Sequence, residues 1–271
     1  MRPRAAVSAE LIAAYAGGSV TQAALVARGG VRCVPRALRA LRHPLFAALP
    51  LLALIGVVFW LRASPDGAAV LAELALLGVP LLALVAGLRS GPLALALVVA
   101  MLVVTLREGH TLAGQVAALG LIAASCTVLG ALLVEVTPPR WLGLGIAATA
   151  AVDLVLVASG LLAPATLALD SAGVTESLPQ LQRVELGPLT MGYADLFLPA
   201  LVGALLATQA RTRGWVALLT LCFALASGSL FLVTERLPAT VPVALALLVV
   251  EGAGAIVPPW RRAADGSAKS T

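Results

Sequence analysis

Charge is scarce in this chain of 271 residues: Asp, Glu, Lys and Arg make up 11% of it, where a soluble domain carries about a quarter. That shortage excludes a soluble globular protein. Lysine occurs once, at Lys269, against 17 arginines, a bias that together with abundant Ala, Leu and Val looks like the coding of a GC-rich bacterial genome. Cysteine is also sparse. Cys33, Cys126 and Cys222 form an odd set without metal-ligand spacing, so a disulfide scaffold is excluded and the three read as packing residues. His110 has no second His or Cys cluster within reach, and there is no Gly-rich phosphate loop, nucleophile elbow or zinc motif. The sequence therefore implies no cofactor and no metal. Its 18 basic and 13 acidic residues call for no nucleic-acid partner, because their placement between apolar runs already accounts for them.

What fills the chain instead is apolar residues, 61% of it, with a mean hydropathy of +1.03. They fall in eight runs, 44–61, 68–88, 91–106, 111–134, 141–162, 190–208, 214–234 and 237–257. Several reach about twenty residues, the length a helix needs to cross a bilayer. Backbone groups in hydrocarbon must pair internally, so the runs read as helices and the fold class as an all-α, polytopic bundle of about eight spans with the lipid bilayer as its partner. Residues 1–43 read as a basic amino-terminal segment, an amphipathic cytoplasmic helix lying on the membrane rather than a cleavable signal peptide. Spans 1–4 (44–136) form a scaffold, residues 137–258 a second group of four spans, and 259–271 a polar tail.

Fourteen basic residues fall on one side of the eight runs and four on the other, which places both termini in the cytoplasm of a multi-pass cell-membrane protein. Trp60, Trp141, Trp215 and Trp260 stand at span ends within two residues of an Arg, where an amphipathic ring prefers the headgroups. The longest connection, 163–189, is then extracytoplasmic, and Pro164, Pro179 and Pro188 argue against a continuous helix there.

An ionisable side chain inside a span costs several kcal/mol, roughly 3 on insertion scales, so each one needs a reason. Glu73 and Glu135 are close enough to span ends to reach the interface, and Glu251, about 9 Å from one, is left open. Asp153 is the sharper case, near the middle of span 5 and roughly 13 Å from its outer end by helical rise. Asp195 lies about 9 Å from the outer end of span 6. Consecutive antiparallel spans bring the two to similar depth. Two carboxyls in a low-dielectric site cannot both ionise easily and tend to share a proton, the arrangement with which an aspartic protease activates water and polarises a carbonyl. Each Asp bonding a Ser, a Thr or a backbone carbonyl, or serving ion transport, accounts equally well for depth and spacing.

The residues around Asp195 tip this balance. Gly192-Tyr193-Ala194-Asp195 at the mouth of a span resembles the Gly-x-Gly-Asp motif of intramembrane aspartyl proteases, the presenilin and signal peptide peptidase family. Val152-Asp153 stands where that family has Tyr-Asp. Pro238-Ala239-Thr240 with Pro242, at the start of the last span, is similar to its Pro-Ala-Leu element. Ala194, Val152 and Thr240 depart from the family pattern. The order of elements agrees over residues 141–257; with nine spans in the family, this chain looks like one lacking the first. The resemblance implies a presenilin-like fold, Asp153 and Asp195 as catalytic dyad, and a transmembrane peptide as substrate. An extracytoplasmic loop between the two catalytic spans is similar to the signal peptide peptidase arrangement and implies substrates with their amino terminus inside.

As for the remaining residues, a helix opened at Pro238–Pro242 frees carbonyls for a substrate strand, and Gln182–Leu186 is a candidate second strand. Gly143, Gly145, Gly160 and Gly203 read as helix-packing positions. Three other functions stay open: a proton- or cation-coupled carrier using the buried acids and Glu251, a non-catalytic family member that binds membrane helices, and a prepilin peptidase. The last is disfavoured because Asp195 runs into Leu196-Phe197-Leu198 rather than a basic residue.

Overall fold

The computed structural model describes residues 9–30, 36–64, 66–109, 111–171, 179–187, 189–228 and 238–252. Among them are ten α-helices and one two-stranded hairpin. The helices are α1 (Ala9–Arg28), α2 (Leu49–Ala63), α3 (Gly67–Ser90), α4 (Pro92–Glu108), α5 (Leu112–Val136), α6 (Pro139–Ala158), α7 (Leu162–Ser171), α8 (Tyr193–Leu205), α9 (Ala210–Gly228) and α10 (Val241–Gly252). Every one of the eight apolar runs contains a helix. Four helical segments are long and apolar enough to cross a membrane: Pro44–Ala63, in which a 3-10 turn leads into α2, then α3, α5 and α6. Their outward faces are bare hydrocarbon; Leu74, Leu77, Leu81 and Leu88 of α3 are each about 60% exposed. A soluble protein does not display a stripe of that size, whereas acyl chains are its natural solvent.

The short α8 is the axis of the bundle. Nine of its thirteen residues are buried, among them Leu196 and every residue from Leu198 to Leu205, as expected of a helix apolar all round. One core cluster joins its Leu198, Leu201 and Val202 to Val26 of α1, Ile146 of α6, Val216 of α9 and Leu247 of α10. A second joins Leu196 and Ala200 to Leu121 and Ile122 of α5, Val79 of α3 and the hairpin residues Val184 and Met191. Small residues let the backbones close: a Cβ on Gly130 of α5 would stand 3.1 Å from the Cα of Leu201.

Helix α1 departs from its expected place. Rather than lying apart on a membrane surface, it runs beside α8 and packs on both α8 and α9. Gly18 faces Met191 in the hairpin, Gly203 of α8 faces the carbonyls of Leu25 and Val26, and Gly30 faces Ala204. Two polar residues of its middle, Ser19 and Gln22, are buried on the same face as Leu25 and Val26, while Ile12 and Val20 are exposed. The start of α1 consequently lies at the hairpin end of the bundle. The end of α10, where Glu251 approaches Gly143 near the start of α6, lies at the opposite end.

That opposite end also holds the arginine-rich connection after α1. Arg39 pairs with Glu135 at 2.6 Å, Arg42 Nε donates to the Glu135 carbonyl, and the His43 N–H donates to that of Val136. The last turn of α5 is thereby closed by the segment that precedes α2.

The described residues of the connection, 163–171 and 179–187, hold a helix and a strand. Pro164 lies in the first turn of α7, where a missing N–H costs nothing. Beyond it, β1 (Arg183–Leu186) pairs antiparallel with β2 (Leu189–Gly192). The strand expected within Gln182–Leu186 is present, its partner being the chain's own segment leading into α8. Gly145 and Gly203 are packing glycines, each meeting a backbone carbonyl closely. Gly143 has looser surroundings, and Gly160 serves the turn after α6 with φ +70 rather than packing. Cys126 is buried and Cys222 is exposed on α9. Cys33, His110, Trp260 and the 259–271 tail lie outside the described residues.

Candidate active site

Asp153 sits on the inward stripe of α6. Leu142, Gly145, Ile146, Thr149, Ala150, Asp153 and Leu156 are the buried residues of that helix, spaced three and four apart. At 7% exposure, the carboxylate needs a donor inside the protein. It has one: the Thr240 hydroxyl, itself buried, donates to Asp153 Oδ2. Thr240 closes the Pro238–Thr240 turn immediately before α10. The residue that departs from the Pro-Ala-Leu pattern is thus the one that supplies a polar group to the acid.

Asp195 is fixed from its own chain. Strand β2 ends at Gly192, which is also the cap residue of α8, and Asp195 is the third residue of that helix. Its Oδ2 accepts the Gly192 N–H at 2.8 Å, satisfying one of the donors a helix start leaves unpaired. Gly192 has φ −77, and a Cβ there would lie 3.6 Å from Asp195 Oδ2, so neither conformation nor space demands glycine. The adjacent Tyr193 is anchored to α5, its hydroxyl 3.1 Å from Ser125 Oγ. Ala194 follows as the second residue of α8, half-buried.

The two acids are drawn together through the turn before α10, a helix that packs against both α6 and α8. Thr240 holds the Asp153 side chain. One residue earlier, the Ala239 carbonyl accepts from Gln22 Nε2 at 3.1 Å, and the same nitrogen donates to the Asp195 carbonyl at 2.9 Å. Pro242 is buried in the first turn of α10 and Pro238 opens the turn, so both prolines flank the bonded residues.

The sequence-derived residues Asp153, Gly192, Asp195, Pro238, Ala239 and Pro242 are therefore gathered in one place. Three others there carried no site role in the sequence reading: Gln22, Ser125 and Thr240. Gln22 had a readable signal, an amide in a stretch without charge between Glu10 and Arg28, on a helix assigned elsewhere. Glu73 is exposed, and Glu135 is engaged by Arg39, away from the site. Among the described residues no group of three or more His, Cys, Asp or Glu has the makings of a metal site. Compared with protein-family models, with curated proteins and with solved structures, the chain matches none.

Proposed function

We propose that the chain is an intramembrane aspartyl endopeptidase of presenilin-like architecture that cleaves transmembrane segments or remnant signal peptides with Asp153 and Asp195 as its dyad. One observation carries the reading: two acids on separate helices are tied to successive residues, Ala239 and Thr240, of one proline-flanked turn. Each carboxyl commits its Oδ2 to the protein and keeps Oδ1 for chemistry. The ionised member takes a proton from water as the water oxygen adds to the scissile carbonyl carbon, and the protonated member gives its proton to the carbonyl oxygen. Collapse of the tetrahedral species breaks the C–N bond, the amine leaves with a proton, and the dyad returns to its shared state. Strand β2 delivers the chain to Asp195 within three residues, so a substrate unwound into a strand beside this hairpin presents its carbonyls to the dyad. In this reading α1 and the eight apolar runs are all membrane helices, nine in number.

The bonds at the site also favour a second reading, a non-catalytic member that binds membrane helices. A helix cap at Asp195 and a hydroxyl at Asp153 are sufficient structural reasons for both acids. Cleavage of a labelled synthetic transmembrane peptide of about 25 residues, by the full chain in liposomes, separates them. The peptidase cuts it, and Asp153→Asn or Asp195→Asn alone abolishes the cut, since a dyad works as a unit. The binding protein retains the peptide uncut, with or without either substitution. A carrier moves protons or cations across the same liposomes without cutting.

A further inference from the structure

Two prolines near the site remove donors that its backbone would otherwise have. Asp195 occupies the first turn of α8, and its carbonyl would accept the N–H of the residue four places on; that residue is Pro199. Ala239 stands before α10, and its carbonyl would close a tight turn on the N–H three places on; that residue is Pro242. Both acceptors are on half-buried residues, bonded to the buried Gln22, where an unmade hydrogen bond is costly. Both are satisfied by one group, the Nε2 of Gln22, at 2.9 and 3.1 Å.

We propose that Gln22 is a positioning residue whose carboxamide locks α8 to the turn before α10 and thereby sets the separation of Asp153 and Asp195. Its two donor hydrogens are the number required for two carbonyls. The bonds form a continuous path: Asp153 to Thr240, along the chain to Ala239, through Gln22 to the Asp195 backbone carbonyl. Gln22 touches no reacting atom; it acts by fixing where two helices start relative to one another. Helix α1 carries it there, kept in register on the hairpin by the close approach at Gly18, on α8 by that at Gly203 and on α9 by the Tyr15 hydroxyl, which donates to the Ala224 carbonyl at 2.8 Å. An amide is suited to this place because it donates twice without bringing a charge beside two carboxyls.

The inference rests on the peptidase reading for its catalytic consequence, and the test keeps the two apart. Gln22→Met preserves length and removes the donors. Pro199→Ala gives the Asp195 carbonyl an N–H from its own helix, which makes one of the Gln22 bonds redundant. The full chain, each single variant and the double variant are compared in two readouts: cleavage of the labelled transmembrane peptide and thermal unfolding in detergent. Gln22→Met lowers kcat about tenfold or more with KM within about twofold, and the loss shrinks in the Pro199→Ala background. Unchanged kcat in Gln22→Met, or an equal loss in both backgrounds, overturns the proposal. If the unaltered chain does not cleave, or cleaves with Asp153→Asn, the peptidase reading is what fails, and unfolding decides the lock alone. A melting loss on Gln22→Met that Pro199→Ala reduces supports it; an equal loss in both backgrounds overturns it. Should Gln22→Met not accumulate, Gln22→Asn, with its amide one methylene short, goes through the same cycle, and the same two outcomes apply.

Discussion

The hydroxyl of Thr240 donates to the carboxylate of Asp153 between the turn before α10 and the middle of α6, both residues buried. A bond of this kind, from a neutral donor to a charged acceptor, is among the stronger ones a protein makes, about 1.5–3 kcal/mol. Thr240→Val keeps the shape of the side chain and removes the donor. In peptide cleavage it lowers kcat by about tenfold or more, while Thr240→Ser, which keeps the hydroxyl, retains most of the activity. Full activity in Thr240→Val shows that the bond is incidental to the chemistry.

Asp195 caps α8 and, in the proposed peptidase, is also a member of the dyad; the two duties are separable. Asn in its place retains an oxygen able to accept the Gly192 N–H at the same position. Ala retains none, and loss of a cap costs about 1 kcal/mol. Asp195→Asn therefore melts close to the unaltered chain and is inactive, whereas Asp195→Ala is inactive and also melts lower by about 2–4 °C. Equal melting of the two shows that the cap contributes nothing.

Much of this site was legible in the residues. Asp153 and Asp195 stand out because carboxyls within apolar runs are costly, and Gly192, Pro238, Ala239 and Pro242 stand out by order and side. What was not legible is the role of α1. Its middle is free of charge, but Ser19, Thr21 and Gln22 dilute its hydropathy, and the arginines that follow it suggest a helix at the surface. Only tertiary packing shows that Ser19 and Gln22 point inward, with α8 and α9 as their solvent. Thr240 was hidden for a related reason: a residue scored against a motif registers as a departure, while its hydroxyl counts only once Asp153 is known to face it. The hairpin was half legible, since β1 falls where a strand was expected but β2 had been counted within an apolar run.

The seat of α1 on α8 depends on Gly203. A Cβ there would stand 2.5 Å from the Leu25 carbonyl oxygen and 2.9 Å from that of Val26, both backbone atoms that cannot rotate away. Gly203→Ala forces the helices apart at a cost of about 1–3 kcal/mol, read as a lower melting temperature in detergent. By contrast, Gly17 of α1 has nothing within 4 Å of its added Cβ. Gly17→Ala is stabilising by up to about 1 kcal/mol, from helix propensity alone. If both substitutions behave alike, α1 is not packed as described.

The same seat decides the topology. Helix α1, about 30 Å long by rise, is counted as a membrane helix only in the proposed nine-helix reading. It runs parallel to α8, from Gly18 at the hairpin to Gly30 beside Ala204. Arginines 28, 36, 39 and 42 collect at the far end, where α5 and α10 also finish. In the proposed nine-helix reading the positive-inside rule puts that end in the cytoplasm, and the hairpin and the start of α1 face outward. On that reading a thiol introduced at the exposed Glu10 is labelled by an impermeant reagent in intact cells, and one at the exposed Arg140, at the start of α6, only after the membrane is opened. That outcome separates the nine-helix reading from eight spans with both termini in the cytoplasm. Protection of both thiols in intact cells returns α1 to the cytoplasmic face and removes Gln22 from the depth of the dyad.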